Sequence, residues 1–293
     1  MKLKVISFPK RHSRNYITKR VEGLCDSLRD EYEIEQVELE TYQALNEYGK
    51  LSQFKLRHCI IFEQEDKKFK VIEWDDRDNP IKYDCRELVK SPNCLYVLKC
   101  QCSMSSIHPK IRPFFYFEKH NPDIFSEQLD ELRAKPVASQ KLYWRGNLHL
   151  GRREILQHIQ DVLNDGWEDL VPIEEYWKEM SSHKVALSLP GLGAACHREF
   201  EAFAVGTPVI MPIFRNRYYE KLLPDFHYIP IRVSEGYGER HPREMAMKIK
   251  QMYEVVVNDN GLLNFISKNA MNYYDTYIRY SRSIQWMRKL LEL

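Results

Sequence analysis

From His183 to Pro212 the chain reads His-Lys-Val-Ala-Leu-Ser-Leu-Pro-Gly-Leu-Gly-Ala-Ala-Cys-His-Arg-Glu-Phe-Glu-Ala-Phe-Ala-Val-Gly-Thr-Pro-Val-Ile-Met-Pro. Several of these residues suit the binding of a phosphate ester. Pro190, Gly191, Leu192, Gly193, Ala194 and Ala195 form a stretch with little side-chain bulk, so a ligand could approach its backbone N–H groups. Arg198 follows, and a guanidinium there offers paired donors to phosphate oxygens. Glu201, about one helical turn further on, is placed to accept hydrogen bonds from ribose hydroxyls. An ordinary strand–helix–strand crossover with a glycine turn would contain the same glycines, because Gly-x-Gly alone is a weak signal.

The elements that must position these groups are legible on either side. Val185 to Leu189 is a short apolar run and predicts a buried strand. Phe200, Phe203 and Ala204 recur at helical spacing, and Gly206 predicts the stop of that helix. Thr207-Pro208 leads into a second predicted strand, Val209 to Met211. The result is a strand, a glycine loop, a helix and a strand, with the positive end of the helix dipole beside the loop.

A second candidate centre is acidic. Asp75, Asp76 and Asp78 follow a strand predicted from Phe69 to Trp74, and Pro80 then turns the chain. A carboxylate after a strand could act as general base toward a hydroxyl. Aspartates also favour turns for purely local reasons. The basic stretch Lys10, Arg11, His12 and Arg14 follows the first predicted strand, Leu3 to Phe8. It is either a ligand-facing loop at a strand's C-terminal end or a solvated surface loop. Cys100 and Cys102 form a Cys-x-Cys pair without a matching second pair, so no metal site is expected.

Composition narrows the function class. The 293 residues suffice for one large or two medium domains, and 43% hydrophobic residues allow a sizeable core. Charged residues make up 29%, yet the formal net charge is only +2, which argues against a nucleic-acid binder. No apolar run approaches the length of a transmembrane helix, and the N-terminal run reads as a first strand rather than a signal peptide. Seven cysteines without framework spacing fit reduced thiols, so a cytoplasmic setting is expected, host cytoplasm if the chain is virus-encoded.

Further strands are predicted at Ile34 to Leu39, His58 to Phe62, Leu95 to Leu98 and Lys141 to Arg145, and one is predicted to end in His227-Tyr-Ile-Pro230. Helices are predicted through Ile17, Val21, Leu24 and Leu28, in a short amphipathic stretch between Asn121 and Pro136, and through Ile155, Ile159 and Val162. More follow as a turn at Tyr176 to Met180, then Arg243 to Val257 and Leu262 to Asn272. The Tyr-, Trp- and Leu-rich tail from Tyr273 also has helical spacing. This alternation predicts α/β architecture with a largely parallel sheet.

Glu201-Ala-Phe-Ala-Val-Gly-Thr-Pro-Val-Ile210 resembles the Glu-Ala-x-Ala-x-Gly-x-Pro-Val-Ile signature of many GT-B glycosyltransferases. Gly193 stands where many of those enzymes carry a second Glu. A longer series of landmarks resembles glycosyltransferase family 90, the capsule-associated xylosyltransferases and protein O-glucosyltransferases. These are Tyr143-Trp-Arg-Gly-Asn147, Arg152-Arg153, Lys184 before the strand, Gly191 to Arg198, and His227-Tyr-Ile-Pro230. The resemblance covers about half the chain, from Lys141 onward.

The resemblance implies two Rossmann-like domains facing across a cleft, at 1–135 and 136–272, with a C-terminal helix at 273–293 crossing back to the first. It implies a UDP-sugar donor, a glycan or glycoprotein acceptor, inversion at the anomeric carbon, and neither metal nor other cofactor. It implies donor contacts from Arg145, Gly146, Lys184, the loop Pro190 to Ala195, Arg198 and Glu201. In the family an Asp within Arg-Asp-x-Pro acts as base. Arg77-Asp78-Asn79-Pro80 matches that pattern, while counting from the strand places Asp76 equally well. Xylose is the sugar favoured on this resemblance, with glucose second. A UDP-sugar epimerase and a non-catalytic sugar-nucleotide or carbohydrate-binding module are the alternative readings.

Overall fold

The computed structural model describes residues 2–7, 15–38, 58–63, 69–75, 88–99, 102–103, 108–114, 122–148, 151–190, 196–213, 216–217, 220–233 and 237–291. Lys10, Arg11, His12, Arg14, Asp76, Asp78, Cys100 and the loop from Gly191 to Ala195 lie outside these residues. The chain divides into two units. One contains 1–115, 216–220 and 280–293; the other contains 116–215 and 221–279.

The first unit is built on a six-stranded sheet. Its strands are β1 (Lys2–Ser7), β2 (Glu33–Glu38), β3 (His58–Glu63), β4 (Phe69–Asp75), β5 (Cys94–Lys99) and β7 (Ile111–Pro113), in the order β2-β1-β3-β4-β5-β7. Helix α1 (Asn15–Leu28) connects the parallel pair β1 and β2. Among the described strands five of the six run the same way, so the sheet is largely parallel as the alternation predicted; the exception is β3, which runs antiparallel to both β1 and β4. Residues 64–68 separate β3 from β4, and so short a link cannot hold the crossover that parallel neighbours need. The short strand β6 (Cys102–Ser103) pairs antiparallel with β11 (Asn216–Arg217).

The last helix, α9 (Tyr280–Leu291), packs on α1 in this unit. Leu24, Leu28 and Met287 are buried. Arg20 Nε donates to Ser283 Oγ at 3.2 Å, and Arg288 Nη1 donates to Ser27 O at 2.9 Å. Arg288 also pairs with Glu31. Gly23 presents no Cβ to the Ile284 and Tyr280 side chains that press on α1 there.

The second unit holds a four-stranded parallel sheet in the order β12-β10-β9-β8. The strands are β8 (Ser139–Tyr143), β9 (His183–Leu187), β10 (Val209–Pro212) and β12 (Ile229–Ile231). Around it lie α2 (Pro122–Ala134), α3 (Arg152–Gln157), α4 (Ile173–Ser182), α5 (His197–Val205), α6 (Tyr237–Arg240), α7 (Pro242–Val256) and α8 (Asn260–Tyr273). Leu142, Val185, Leu187, Ile210, Ile229 and Ile249 are buried in one core. Full burial of each such side chain contributes about 1.5–3 kcal/mol. Strands covered on both faces read as unbroken apolar runs, which is why Val185 to Leu187 in β9, all buried, shows no alternation.

Helix α2 packs with α4 and α5, where Arg133 donates to Ala204 O at 2.7 Å and holds Asp275 with two 2.9 Å bonds. Two helix ends, those of α3 and α8, differ from the sequence expectation. Helix α3 stops at Gln157 instead of running to Val162, because Val162 O and Asn164 N bond the backbone of Leu142 in β8. Helix α8 continues through a π-helical turn, Tyr274–Ile278, whose Tyr274 and Ile278 are buried in this unit. The break before α9 falls at Arg279, whose ψ of 138° leaves the helical region. Among the described residues no helix is long and apolar enough to cross a membrane.

Candidate functional site

Strands β8 and β9 are parallel neighbours, so their C-terminal ends lie side by side. Trp144, Arg145 and Gly146 leave β8 there, and Ser188, Leu189 and Pro190 leave β9. Helix α5 begins just beyond, capped by Cys196. The C-terminal edge of a parallel sheet is where ligands bind in open α/β folds.

Glu199 fixes the junction. Its carboxyl accepts from Cys196 N at 2.6 Å and from Ser188 Oγ at 2.9 Å, tying the end of β9 to the start of α5. The group is fully buried, and burial pushes its pKa up to about 7 against the hydrogen bonds that favour the charged form.

Two buried arginines share the indole of Trp144. The Arg198 guanidinium lies 4.0 Å over the ring centroid and that of Arg152 lies 5.4 Å from it. Arg152 donates to Pro190 O at 2.7 Å, Leu189 O at 2.8 Å and Asn147 O at 3.1 Å, which binds the two strand exits together. Burial, and then the positive charge of Arg198, push Arg152 down to about 10. Arg198 donates from Nε and Nη2 to Arg145 O, at 3.1 and 2.8 Å. Its Nη1 is buried and has no hydrogen-bond partner among the described residues, and the same holds for Trp144 Nε1.

Among the described residues no carboxylate bonds either guanidinium. Buried cations are ordinarily paired, and a buried donor left without an acceptor costs about 1–3 kcal/mol. An anion at this corner would remove both penalties. The N-terminus of the nine-residue helix α5 adds its partial positive charge. Gly146 is required in this arrangement. Its φ is +154°, and a Cβ there would collide with Arg198 Nη2.

The other residues expected to contact the donor are distributed as follows. Arg145 is buried, but its guanidinium faces Glu179 in two 2.9 Å bonds and reaches Asp169 O at 3.4 Å. What it turns toward Arg198 is its carbonyl. Glu201 is 4% exposed within α5, and Tyr176 Oη donates to its Oε2 at 3.1 Å. Burial, and then the charge of Glu201, hold the Tyr176 phenol well above its ordinary pKa. Tyr143 Oη lies 3.0 Å from Tyr176 O and 3.3 Å from Glu179 Oε2, so its single proton is shared between the two acceptors.

Lys184 departs from the expectation. It lies inside β9, not before it, and four residues ahead of Ser188. At about 3.3 Å per residue that is about 13 Å from Ser188, the first residue beyond the strand's C-terminal end. Lys184 therefore belongs to the opposite edge of the sheet from Arg198. Pro190 is at the site through its carbonyl, while Gly191 to Ala195 lie outside the described residues. His227 precedes β12, which starts at Ile229. Its Nδ1 accepts from Leu223 N at 2.9 Å, and burial pushes its pKa down to about 4.

In the first unit Asp75 is the last residue of β4 and stands in register with Lys99 of the parallel strand β5. It thus occupies the C-terminal edge of that pair. Asp76 and Asp78 lie outside the described residues. Among the described residues no group of three or more His, Cys, Asp or Glu could hold a metal ion.

Sequence reasoning passed over the roles of Trp144, Arg152, Glu179, Ser188 and Glu199. Trp144 and Arg152 stood in the Tyr-Trp-Arg-Gly-Asn and Arg-Arg landmarks, but nothing local distinguishes a stacked arginine from a solvated one. Glu199 had a legible signal, since a Glu three residues after a helix cap forms half of a capping box.

No family model and no curated protein matches the chain. Its fold is similar to solved structures. One is a glycosyltransferase from Rickettsia africae, with TM-score 0.57 and 11% identity, covering 99% of this chain and 98% of that one. Another is Alr3699/HepE from Anabaena, solved in complex with UDP-glucose, with TM-score 0.54 and 9% identity, covering 99% of this chain and all of that one. At such identities the likeness is one of fold.

Proposed function

We propose that this chain is a GT-B glycosyltransferase that moves a sugar from a UDP-sugar to a hydroxyl of a glycan or glycoprotein acceptor. The observation that carries the reading is the corner of Arg198, Arg152 and Trp144. It holds two buried cations that no carboxylate among the described residues bonds, and Arg198 Nη1 with no acceptor among them, beside the start of α5. A diphosphate supplies the missing negative charge and oxygen acceptors. The fold likeness to the Rickettsia enzyme and to HepE, which was solved with UDP-glucose, supports the same donor class.

The reaction is a single in-line displacement. An aspartate of the Asp75, Asp76 and Asp78 cluster takes the proton of the acceptor hydroxyl. The acceptor oxygen bonds to the anomeric carbon as the bond from that carbon to the phosphate oxygen breaks, and configuration inverts. UDP leaves with the electron pair. Its growing charge is met by Arg198, Arg152 and the helix N-terminus, donors fixed before the reaction begins. These cations take the place of a divalent metal. Glu201 receives the ribose hydroxyls. The Tyr143 to Asn147 and Arg152-Arg153 landmarks support family 90 likeness, and with it xylose ahead of glucose.

Calorimetric titration with UDP in EDTA tests the donor site, with binding expected to survive chelation. Affinity that disappears in EDTA and returns with a divalent cation would overturn the metal-free mechanism. Thermal unfolding with UDP-xylose, UDP-glucose and a GDP-sugar tests the donor. A ligand at about 100 times its Kd adds about 2.7 kcal/mol of stability. Transfer to acceptor hydroxyls, followed as UDP release, separates a transferase from an epimerase or a binding module.

A further inference from the structure

We infer that Glu179 is a positioning residue for the diphosphate site, acting through Arg145 on Arg198; this rests on the donor-site reading above. Both hydrogen bonds of the Arg198 guanidinium end on one atom, the carbonyl oxygen of Arg145. The direction of Nη1 is therefore set by the orientation of the peptide between residues 145 and 146. That peptide lies beyond the end of β8, where no ladder holds it, and its second residue is Gly146 at φ +154°. A glycine in that region leaves the peptide free to rotate.

Two anchors oppose that rotation. On the N-terminal side Trp144 N donates to Asn164 Oδ1 at 2.7 Å. On the residue itself the Arg145 guanidinium is gripped by both oxygens of Glu179, each at 2.9 Å. A two-point bond between planar groups fixes orientation as well as distance. Glu179 is itself held, because Tyr143 Oη donates to its Oε2 at 3.3 Å. The connection runs from Tyr143 to Glu179, to the Arg145 side chain, to the Arg145 carbonyl, and to Arg198. Glu179 also pairs with Arg145, so Arg145 does not compete with Arg198 and Arg152 for an anion at the site.

A double-mutant cycle on the full chain, read by UDP affinity, tests this. Glu179→Gln keeps the shape and one acceptor but loses the charged two-point grip. It should weaken UDP binding about tenfold, equivalent to about 1.4 kcal/mol. Arg198→Gln should weaken it at least as much. The double variant should bind no more weakly than Arg198→Gln alone, because Glu179 acts through that arginine. Additive losses would mean a general structural role and overturn the inference, as would wild-type affinity in Glu179→Gln. If Glu179→Gln does not fold, Tyr143→Phe removes one bond to the same carboxylate and enters the same cycle, where coupling supports the role and additivity overturns it. Wild-type protein that binds no UDP overturns the donor-site reading, and the positioning role falls with it.

Discussion

The carbonyl oxygen of Arg145 takes hydrogen bonds from both Nε and Nη2 of Arg198, at 3.1 and 2.8 Å. One backbone atom thereby holds the guanidinium over Trp144, 4.0 Å from the ring centroid, and leaves Nη1 buried without a partner among the described residues. The distance in sequence between the two residues, 53 positions, is closed by the parallel pairing of β8 with β9.

Arg198→Ala should weaken UDP binding by about 1.5–3 kcal/mol, the range for a hydrogen bond to a charged group. Arg198→Lys should recover only part of the loss, because an ammonium neither stacks on the indole nor presents a planar fork. Glu201→Ala should also weaken UDP while leaving discrimination among UDP-sugars unchanged. Calorimetric titration reads all three; wild-type affinity in both alanine variants would move the donor site elsewhere.

Gly146→Ala places a methyl group against Arg198 Nη2 at a φ of +154°. The backbone strain costs about 1–3 kcal/mol, and the displaced guanidinium should reduce UDP affinity as well. Gly261→Ala is the control. Its Cβ would meet only Asp259 Oδ1 at 3.4 Å, an ordinary contact in the first turn of α8. Urea unfolding and UDP titration should both separate the two variants.

Stability should carry opposing pH slopes. Glu199 is raised to about 7 from an ordinary value of 4.5, so between those values the folded state holds a proton that the unfolded chain releases. Stability from this group therefore falls as pH rises from about 4.5 to about 7, by on the order of 3 kcal/mol. His227 is lowered to about 4 from 6.5, so its contribution is present above about 6.5 and is lost as pH falls toward about 4. Denaturation at several pH values should show Glu199→Gln losing the first slope and His227→Asn losing the second. An unchanged profile in Glu199→Gln would refute the assignment of the first slope to that carboxyl.

Asp76→Asn should retain UDP-sugar affinity and cut transfer by about 10²–10⁴, the usual worth of a general base. Asp76 directly follows β4 in sequence and Asp78 comes two residues later, and a base next to a strand is the more firmly held, so Asp78→Asn should be milder. Single-turnover assays decide between them. Loss in Asp78→Asn with near-normal transfer in Asp76→Asn would exchange the roles, and normal transfer in both would remove the cluster from the mechanism.

Much of the second unit was legible because its signals are local. Val185 to Leu189 announced a covered strand, the Phe200, Phe203 and Ala204 spacing announced α5, and Gly206 ends that helix at a φ of 80° that favours glycine. Those residue types and spacings were enough to mark a strand and a helix with Arg198 near its start.

Pairing was not legible in the same way. The antiparallel direction of β3 depends on how β1 and β4 flank it, and Lys184 and Arg198 could share a motif in sequence while lying toward opposite ends of β9. Only the tertiary structure set Arg152 and Arg198 on one indole, turned the Arg145 side chain to Glu179 and its carbonyl to Arg198, and buried Glu199 between Ser188 and Cys196. The reason is physical. Residue type sets what a side chain can bond to, but burial and the absence of a partner are properties of the space around it. That space is made by strands and helices far apart along the chain.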